Sequence, residues 1–245
     1  MYIEKLKRLI ESSSNIVFFG GAGVSTESNI PDFRSEDGIY RTISKYGNSP
    51  EVILSHSFFV NNTEKFYDYY KNNMIYKSAK PNKAHLALAG LERQGRLKAV
   101  VTQNIDGLHQ AAGNRNVLEL HGSVHRNFCT GCGKSFDLEY IINSPNIVPL
   151  CDMCGKIVKP DVVLYEESLN MDTMSKAVSF ISKADVFIVG GTSLAVYPAA
   201  GLIDYYRGSK LVLINKSATP YDRKADLIIN DSIGKVLSEA AANTY

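Results

Sequence analysis

Four cysteines stand in two pairs, Cys129 with Cys132 and Cys151 with Cys154, with eighteen residues between the pairs. Two thiolates three positions apart can grip one ion, and Gly133 and Gly155 after the pairs permit a tight turn. Four thiolates fill a tetrahedral shell and leave no open position, so the metal would be one structural zinc ion. Two disulfides are the competing reading of this spacing. Four cysteines in 245 residues, behind a start with no apolar leader core, give that reading less support. His125 is a fifth candidate ligand, with a structural or solvent-facing histidine as the more ordinary reading.

A second set of reactive types falls just after short apolar runs. Ile16-Val17-Phe18-Phe19 runs into Gly20-Gly21-Ala22-Gly23-Val24-Ser25, whose small residues let backbone N–H groups approach a phosphate. It is not the G-x-G-x-x-G fingerprint, because Thr26 stands at the third glycine, and a plain glycine turn is an equal reading. Gln103-Asn104-Ile105-Asp106-Gly107 crowds two amides and a carboxylate after Val101-Thr102. Such residues are poor core material and suit ribose hydroxyls or a carboxamide; a solvated Asp–Gly turn is the alternative. His121-Gly122 follows Val117 to Leu120. A histidine there, with an ordinary pKa of about 6.5, suits proton abstraction at neutral pH, although a lone histidine in such a place is more often structural. Gly191-Thr192-Ser193 and Asn215 repeat the small-polar pattern after two later runs.

The elements that must position these groups alternate. Ile3, Leu6, Leu9 and Ile10 share one face of an N-terminal helix over residues 2–12. Short apolar runs at 16–19, 97–101, 117–120, 162–165, 186–189, 211–214 and 227–229 alternate with helical stretches, which predicts a parallel sheet covered on both faces. Ligands bind such sheets beyond the carboxyl ends of the strands, where the polar groups fall. Two segments break the rhythm as insertions: residues 30–80, helical over 64–72, and the cysteine segment over 127–156.

Composition bounds the rest. Hydrophobic residues make up 44% and charged residues 21%, which supports a folded core and excludes disorder. A net charge of +2 argues against direct nucleic-acid binding by bulk electrostatics. No apolar run reaches the ~18 residues of a membrane span, and a cytoplasmic protein with no membrane partner is expected.

Taken together, these residues resemble the sirtuin family of NAD-dependent protein deacylases, in family order along nearly the whole chain, and look closest to its bacterial branch. Gly21-Ala22-Gly23-Val24-Ser25 with Ile30-Pro31-Asp32-Phe33-Arg34 is similar to its first cofactor motif. Gln103-Asn104-Ile105-Asp106, Leu120-His121-Gly122, the four cysteines, Gly191-Thr192-Ser193-Leu194 and Val196-Tyr197-Pro198 are similar to its later ones. The resemblance implies an α/β fold: a Rossmann-like doubly wound parallel sheet (residues 1–29, 81–122 and 160–245), a cofactor loop with a helical insertion (30–80) and a zinc-ribbon small domain (123–159). It implies NAD and one zinc ion as cofactors. The implied reaction moves the acetyl group of acetyl-lysine to ADP-ribose and releases nicotinamide and O-acetyl-ADP-ribose. A mono-ADP-ribosyltransferase or NAD hydrolase is the alternative.

The same resemblance implies roles. His121 would be the general base, and Asn104 would position the ribose and a water. Asp106 and Ile105 would hold the carboxamide, and Phe33 would cover the ribose face. Ala22, Gly23, Arg34 and Ser193 would hold phosphates and ribose, Asn215 would meet the adenosine half, and Gly21, Gln103, Gly191, Thr192, Ser232 and Ile233 would be further cofactor-binding residues. Val162, Tyr165, Glu167 and Val196 would flank an acetylated peptide added as a strand.

Three departures from the family pattern matter. Asn29 replaces a glycine, and Asn tolerates a left-handed backbone better than most residues. Tyr165-Glu166-Glu167 replaces Phe-Gly-Glu, and with Asp161 predicts an acidic rim favouring peptides with basic flanks, with solvated loop charges of little consequence as an equal reading. Tyr67 matches the tyrosine of the Tyr-x-x-Arg pair that reads succinyl groups, but Tyr70 stands where the arginine would be. A neutral phenol cannot pair with a carboxylate as Arg does, so acetyl is expected to be preferred to succinyl.

Overall fold

A computed structural model describes residues 2–31 and 42–242. Six parallel strands form the main sheet: β1 (Ile16–Gly20), β2 (Leu97–Thr102), β3 (Val117–Glu119), β7 (Val186–Gly190), β8 (Leu211–Ile214) and β9 (Leu227–Ile229). Their order is β3-β2-β1-β7-β8-β9. The chain winds outward from β1 in one direction, then returns to β7 and winds in the other. The order therefore reverses between β1 and β7, where a doubly wound sheet opens its crevice.

Buried strands explain the lack of alternation in the sequence. Every residue of β1, β7 and β8 is buried, because helices cover both faces. Leu6 and Ile10 of the helix Tyr2–Glu11, Leu88 and Leu91 of Lys83–Arg93, and Val236 and Leu237 of Ile233–Ala240 fill one face. Ala177 and Ile181 of Met171–Lys183, with Ala199 to Ile203, fill the other.

A second, antiparallel sheet is built from β4 (Gly122–Cys129), β5 (Ser135–Phe136) and β6 (Val158–Val162), in the order β5-β4-β6. The helices His56–Asn61 and Thr63–Asn73 pack Phe58, Phe59, Phe66, Tyr67 and Tyr70 against Val124, Val158 and Val162 of this sheet, so the insertion and the cysteine segment share one core. One expectation is corrected here. The run at 162–165 is no strand of the parallel sheet: its first residue ends β6, which pairs antiparallel to β4 through Gly122 and Val162. Beyond it the chain leaves the ladder, with Val163 N–H donating to the His121 carbonyl at 3.0 Å and Tyr165 N–H to the Leu54 carbonyl at 2.9 Å. A four-residue apolar run carries no signal of which sheet it joins.

Asn29 does adopt the left-handed backbone, with φ 62°, and closes a 3₁₀ turn over Thr26–Ser28. No helix among the described residues is long and apolar enough to cross a membrane.

Candidate active site

The crevice opens where β1 and β7 end together, at Gly20 and Gly190. Two loops meet there in backbone contact: Gly23 N–H donates to the Gly191 carbonyl at 2.8 Å. A Cβ on Gly23 would lie 2.8 Å from Gly191 Cα, and Gly191 itself has φ 61°. Only glycine fits either position, and the result is a backbone-lined cradle suited to a phosphate's close approach. Ala22–Val24 forms a 3₁₀ turn in this cradle. Asn215, just beyond β8, accepts from Thr192 N–H at 2.9 Å and fixes the second loop. Its amide nitrogen is buried with no partner among the described residues.

The end of β2 supplies the polar wall. Gln103 N–H donates to the Gly20 carbonyl at 2.9 Å, and its side-chain amide reaches Thr192 Oγ1 at 3.2 Å. Asn104 Nδ2 donates to Ser25 Oγ at 3.1 Å, and Ser25 Oγ donates to Asp106 Oδ2 at 2.7 Å. The other Asp106 oxygen accepts from Leu108 N–H at 2.9 Å. The carboxylate is thus held from both sides.

His121 sits between the two sheets, immediately before β4. Its Nδ1 lies 3.0 Å from the Gln103 carbonyl. A carbonyl only accepts, so Nδ1 carries the proton and Nε2 keeps its lone pair. Burial lowers the His121 pKa, against the smaller raising effect of the Gln103 bond, and so keeps the ring neutral. This is the tautomer a general base needs.

The four cysteine sulfurs lie within 4.8 Å of one another. Cys129 and Cys154 Sγ are 3.3 Å apart and Cys132 and Cys151 Sγ 3.7 Å apart. Those separations are too long for disulfides, which need about 2.05 Å, and suit thiolates around one ion. Gly131 and Cys132 N–H groups point at Cys129 Sγ, and Met153 N–H points at Cys151 Sγ. Such donors favour thiolates, and the four cysteines are positioned to bind one zinc ion. His125 is not among them: its Nε2 lies 3.1 Å from the Asp106 carbonyl.

Three hydrogen-bonded sets meet at the crevice: Gly23 with Gly191; His121, Gln103, Thr192 and Asn215; and Asn104 with Asp106 through Ser25, with Gly21 and Ala22 in the same turn as Gly23. Ser193 follows Thr192 and is exposed, and the Ile105 carbonyl accepts from Val124 N–H at 3.0 Å. Phe33 and Arg34 lie outside the described residues. Ser232 and Ile233 open the last helix, but the Ile233 side chain is buried in the sheet core, so only its backbone is available to a ligand. Val162 is buried, Val196 half-buried and Tyr165 43% exposed, while Glu167 bonds to His56 and Lys159.

Tyr67 is fully buried, and its hydroxyl donates to the Val158 carbonyl in the small-lobe core. Tyr70 is also fully buried, its ring stacked on Phe66 with centroids 5.7 Å apart. Lys71 Nζ donates to the Asn146 carbonyl at 3.2 Å.

Two histidines escaped the sequence reading. His85 and His109 are buried with ring centroids 4.7 Å apart, and His85 Nε2 and both His109 ring nitrogens have no partner among the described residues. Burial pushes the His85 pKa down to about 4, with Asp106 opposing, and pushes the His109 pKa down to about 3, helped by His85. In the unfolded chain both sit near ~6.5. Below that pH only the unfolded chain gains their protons, so stability falls as pH drops from ~6.5 towards the folded values. At pH ~5 the loss is on the order of 2 kcal/mol per histidine. Urea midpoints at pH 7.5 and 5 are expected to differ clearly, and by less in His109→Leu. Equal pH dependence in both proteins would contradict this.

A doubly wound sheet with a phosphate cradle at its switch point, a buried neutral histidine beside it and a four-thiolate lobe defines the class: the dinucleotide-binding proteins that carry a structural zinc module. Residues 21–198 match the Sir2 family. The chain belongs to that family. It is 69% identical over 234 residues to the NAD-dependent protein deacetylase of Clostridium tetani, covering 96% of this chain and 95% of that one. It is 66% identical to the protein of the same description from Clostridium acetobutylicum, with 96% of each covered. Among solved structures it superposes on a Sir2–p53 peptide–NAD+ complex with a TM-score of 0.88 at 37% identity, covering 99% of this chain and 98% of that one. A second, of a Sir2 homolog–NAD complex, gives 0.86 at 39% identity, covering 98% and 93%.

Proposed function

We propose that this chain is an NAD-dependent protein lysine deacetylase that passes the acetyl group of acetyl-lysine to ADP-ribose. The observation that carries the reading is His121, held neutral with Nε2 free to accept a proton, beside the chain Asn104–Ser25–Asp106 at the crevice. Bound NAD supplies the ADP-ribose acceptor and nicotinamide as leaving group. Gly21, Ala22, Gly23, Gly191, Thr192 and Ser193 hold its phosphates and ribose by backbone and hydroxyl donors. Asn215, with the backbone at Ser232 and Ile233, takes the adenosine half. Asp106, locked by Ser25 and Leu108, offers a fixed carboxylate to a carboxamide, and Ile105 adds backbone polarity. Gln103 ties the crevice floor to Thr192, and Asn104 orients the ribose. Phe33 and Arg34 complete the cofactor loop in this reading. Cys129, Cys132, Cys151 and Cys154 hold zinc, which fixes the lobe and takes no part in the chemistry. A four-thiolate site needs a reducing compartment, which supports the cytoplasm.

The acetylated peptide lies along Val162, Tyr165, Glu167 and Val196. Neutral Tyr67 and Tyr70, with Lys71 turned to a backbone carbonyl, support a neutral acyl group. The acidic rim is smaller than the sequence suggested. Arg126 bonds Asp161 at 2.8 Å, and His56 and Lys159 meet Glu167 at 2.9 and 3.1 Å. Any preference for basic flanks is therefore weak and screened by salt. A peptide panel is expected to lose acetyl faster than succinyl, with basic flanks gaining no more than about threefold. Faster desuccinylation would overturn the acyl assignment. The function itself is tested by nicotinamide release: it is expected to require acetyl-lysine peptide, and release with NAD alone would favour a hydrolase.

A further inference from the structure

Residues 165–167 are fastened to residues 54–57 at every position. Tyr165 forms a parallel bridge with Ser55: its N–H donates to the Leu54 carbonyl, and its carbonyl accepts from His56 N–H, both at 2.9 Å. Glu166 Oε2 accepts from Ser57 N–H at 2.9 Å. Glu167 accepts from the Leu164 N–H and the Lys159 ammonium, and pairs with His56 Nδ1 at 2.9 Å. Ser55 Oγ in turn caps the helix His56–Asn61 by accepting from Phe58 N–H at 3.1 Å. The loop and the start of this helix form one hydrogen-bonded unit.

Glu166 is the unexpected member. Its φ is 75°, in the left-handed region that glycine enters freely and a glutamate does not. A side chain that strains the backbone persists only where something compensates. Here the compensation is visible. The same conformation brings the carboxylate onto Ser57, and the Ser57 bonds lower the Glu166 pKa, as a charge-assisted contact should. An open groove lined by Glu51, Val52, Phe58, Asn61, Tyr165 and Glu166 lies against this joint.

We infer that Glu166 is a positioning residue: its carboxylate latches the Tyr165–Glu167 loop to the start of the helix His56–Asn61 and sets the shape of the peptide-binding edge before a peptide arrives. This rests on the deacetylase reading for what the edge binds. Ordering a loop in advance removes that cost from binding. Loss of the latch therefore raises the peptide KM and leaves kcat and the KM for NAD in place. The latch needs an acceptor oxygen at the side-chain end and no particular peptide charge. That separates it from a role as a rim charge, which depends on the flanks and fades in salt.

The experiment is steady-state kinetics of wild type, Glu166→Ala and Glu166→Gln on one acetyl-peptide with basic flanks and one with acidic flanks. Alanine keeps the strain and loses the acceptor, and is expected to raise the peptide KM roughly three- to tenfold for both peptides, the size of one lost hydrogen bond at a solvent-exposed site. Glutamine keeps the acceptor and is expected to recover most of the loss. Hydrogen exchange of the amides at 163–167 is expected to quicken in Glu166→Ala and not in Glu166→Gln. An unchanged KM in Glu166→Ala, an effect confined to basic-flank peptides, or equal losses in kcat and in the KM for NAD would overturn the latch. If wild type deacetylates nothing, the functional reading fails, and the exchange data alone then uphold or overturn the latch.

Discussion

Replacing His121 with Ala is expected to slow acetyl transfer by about 10²–10⁴-fold, the usual contribution of a positioned base. The structure makes the reason specific. Nδ1 is committed to the Gln103 carbonyl, so one ring nitrogen is spent on orientation and the other is left basic. Removing the ring removes both functions and leaves the glycine cradle and the Asp106 clamp untouched. The variant is expected to bind NAD and to melt close to wild type. Wild-type rates carry a second signature. The base must be neutral to act, so activity falls as pH drops through its pKa. Burial lowers that pKa, so the acid limb should lie below the ordinary histidine value of ~6.5. An acid limb above pH 7, or an alanine variant within tenfold of wild type, would remove His121 from the role.

Stripping the zinc is expected to have a comparable effect by another route. The thiolate shell has no open position, so the ion does not meet substrate. It does fix β4 and β6: Cys129 ends β4, and Cys151 N–H donates to the Lys156 carbonyl just before β6. Those strands pair at Gly122 and Val162, next to His121, whose carbonyl accepts from Val163 N–H at 3.0 Å. Without the ion, four clustered thiols are left in a lobe whose core is shared with the helical insertion. A structural metal is worth several kcal/mol, and each kcal/mol shifts the melting midpoint by roughly 2–4 °C at this size. Chelation, or Cys151→Ser, is expected to lower the midpoint by about 10 °C or more and to abolish activity. Zinc content near one per chain, measured by atomic emission, should fall in step. Full activity in metal-free protein would refute the coupling.

The parts of the site readable from the sequence were those where the chemistry is carried by residue type and local spacing. Four cysteines in two closely spaced pairs favour a metal over disulfides in a chain of this length. Gln103, Asn104, Asp106 and His121 declared themselves as polar residues at the ends of apolar runs, where a parallel sheet puts its ligand. The parts that could not be read depend on contacts distant in the chain. Ser25 lies in a visible motif, but its bridge between Asn104 and Asp106 exists only because β1 and β2 are neighbours. His85 falls on the buried face of its helix between alanines and leucines, and nothing local says that it meets His109. The run at 162–165 looked like the other strands because apolar residues mark burial and not the partner. Tyr67 shows its residue type in the sequence, but not the Val158 carbonyl across the small-lobe core that takes its hydroxyl proton. The charges at Asp161 and Glu167 were visible as acids, but their cations come from Arg126, Lys159 and His56 on other elements.

The central claim is that this crevice transfers an acetyl group to ADP-ribose with His121 as base. Mass spectrometry of products from NAD and an acetyl-lysine peptide, with wild type and His121→Ala side by side, tests it most directly. The account predicts nicotinamide, deacetylated peptide and O-acetyl-ADP-ribose in equal amounts from wild type, and almost none from the variant. Free ADP-ribose with the peptide still acetylated, or equal acetyl transfer by both proteins, would contradict it.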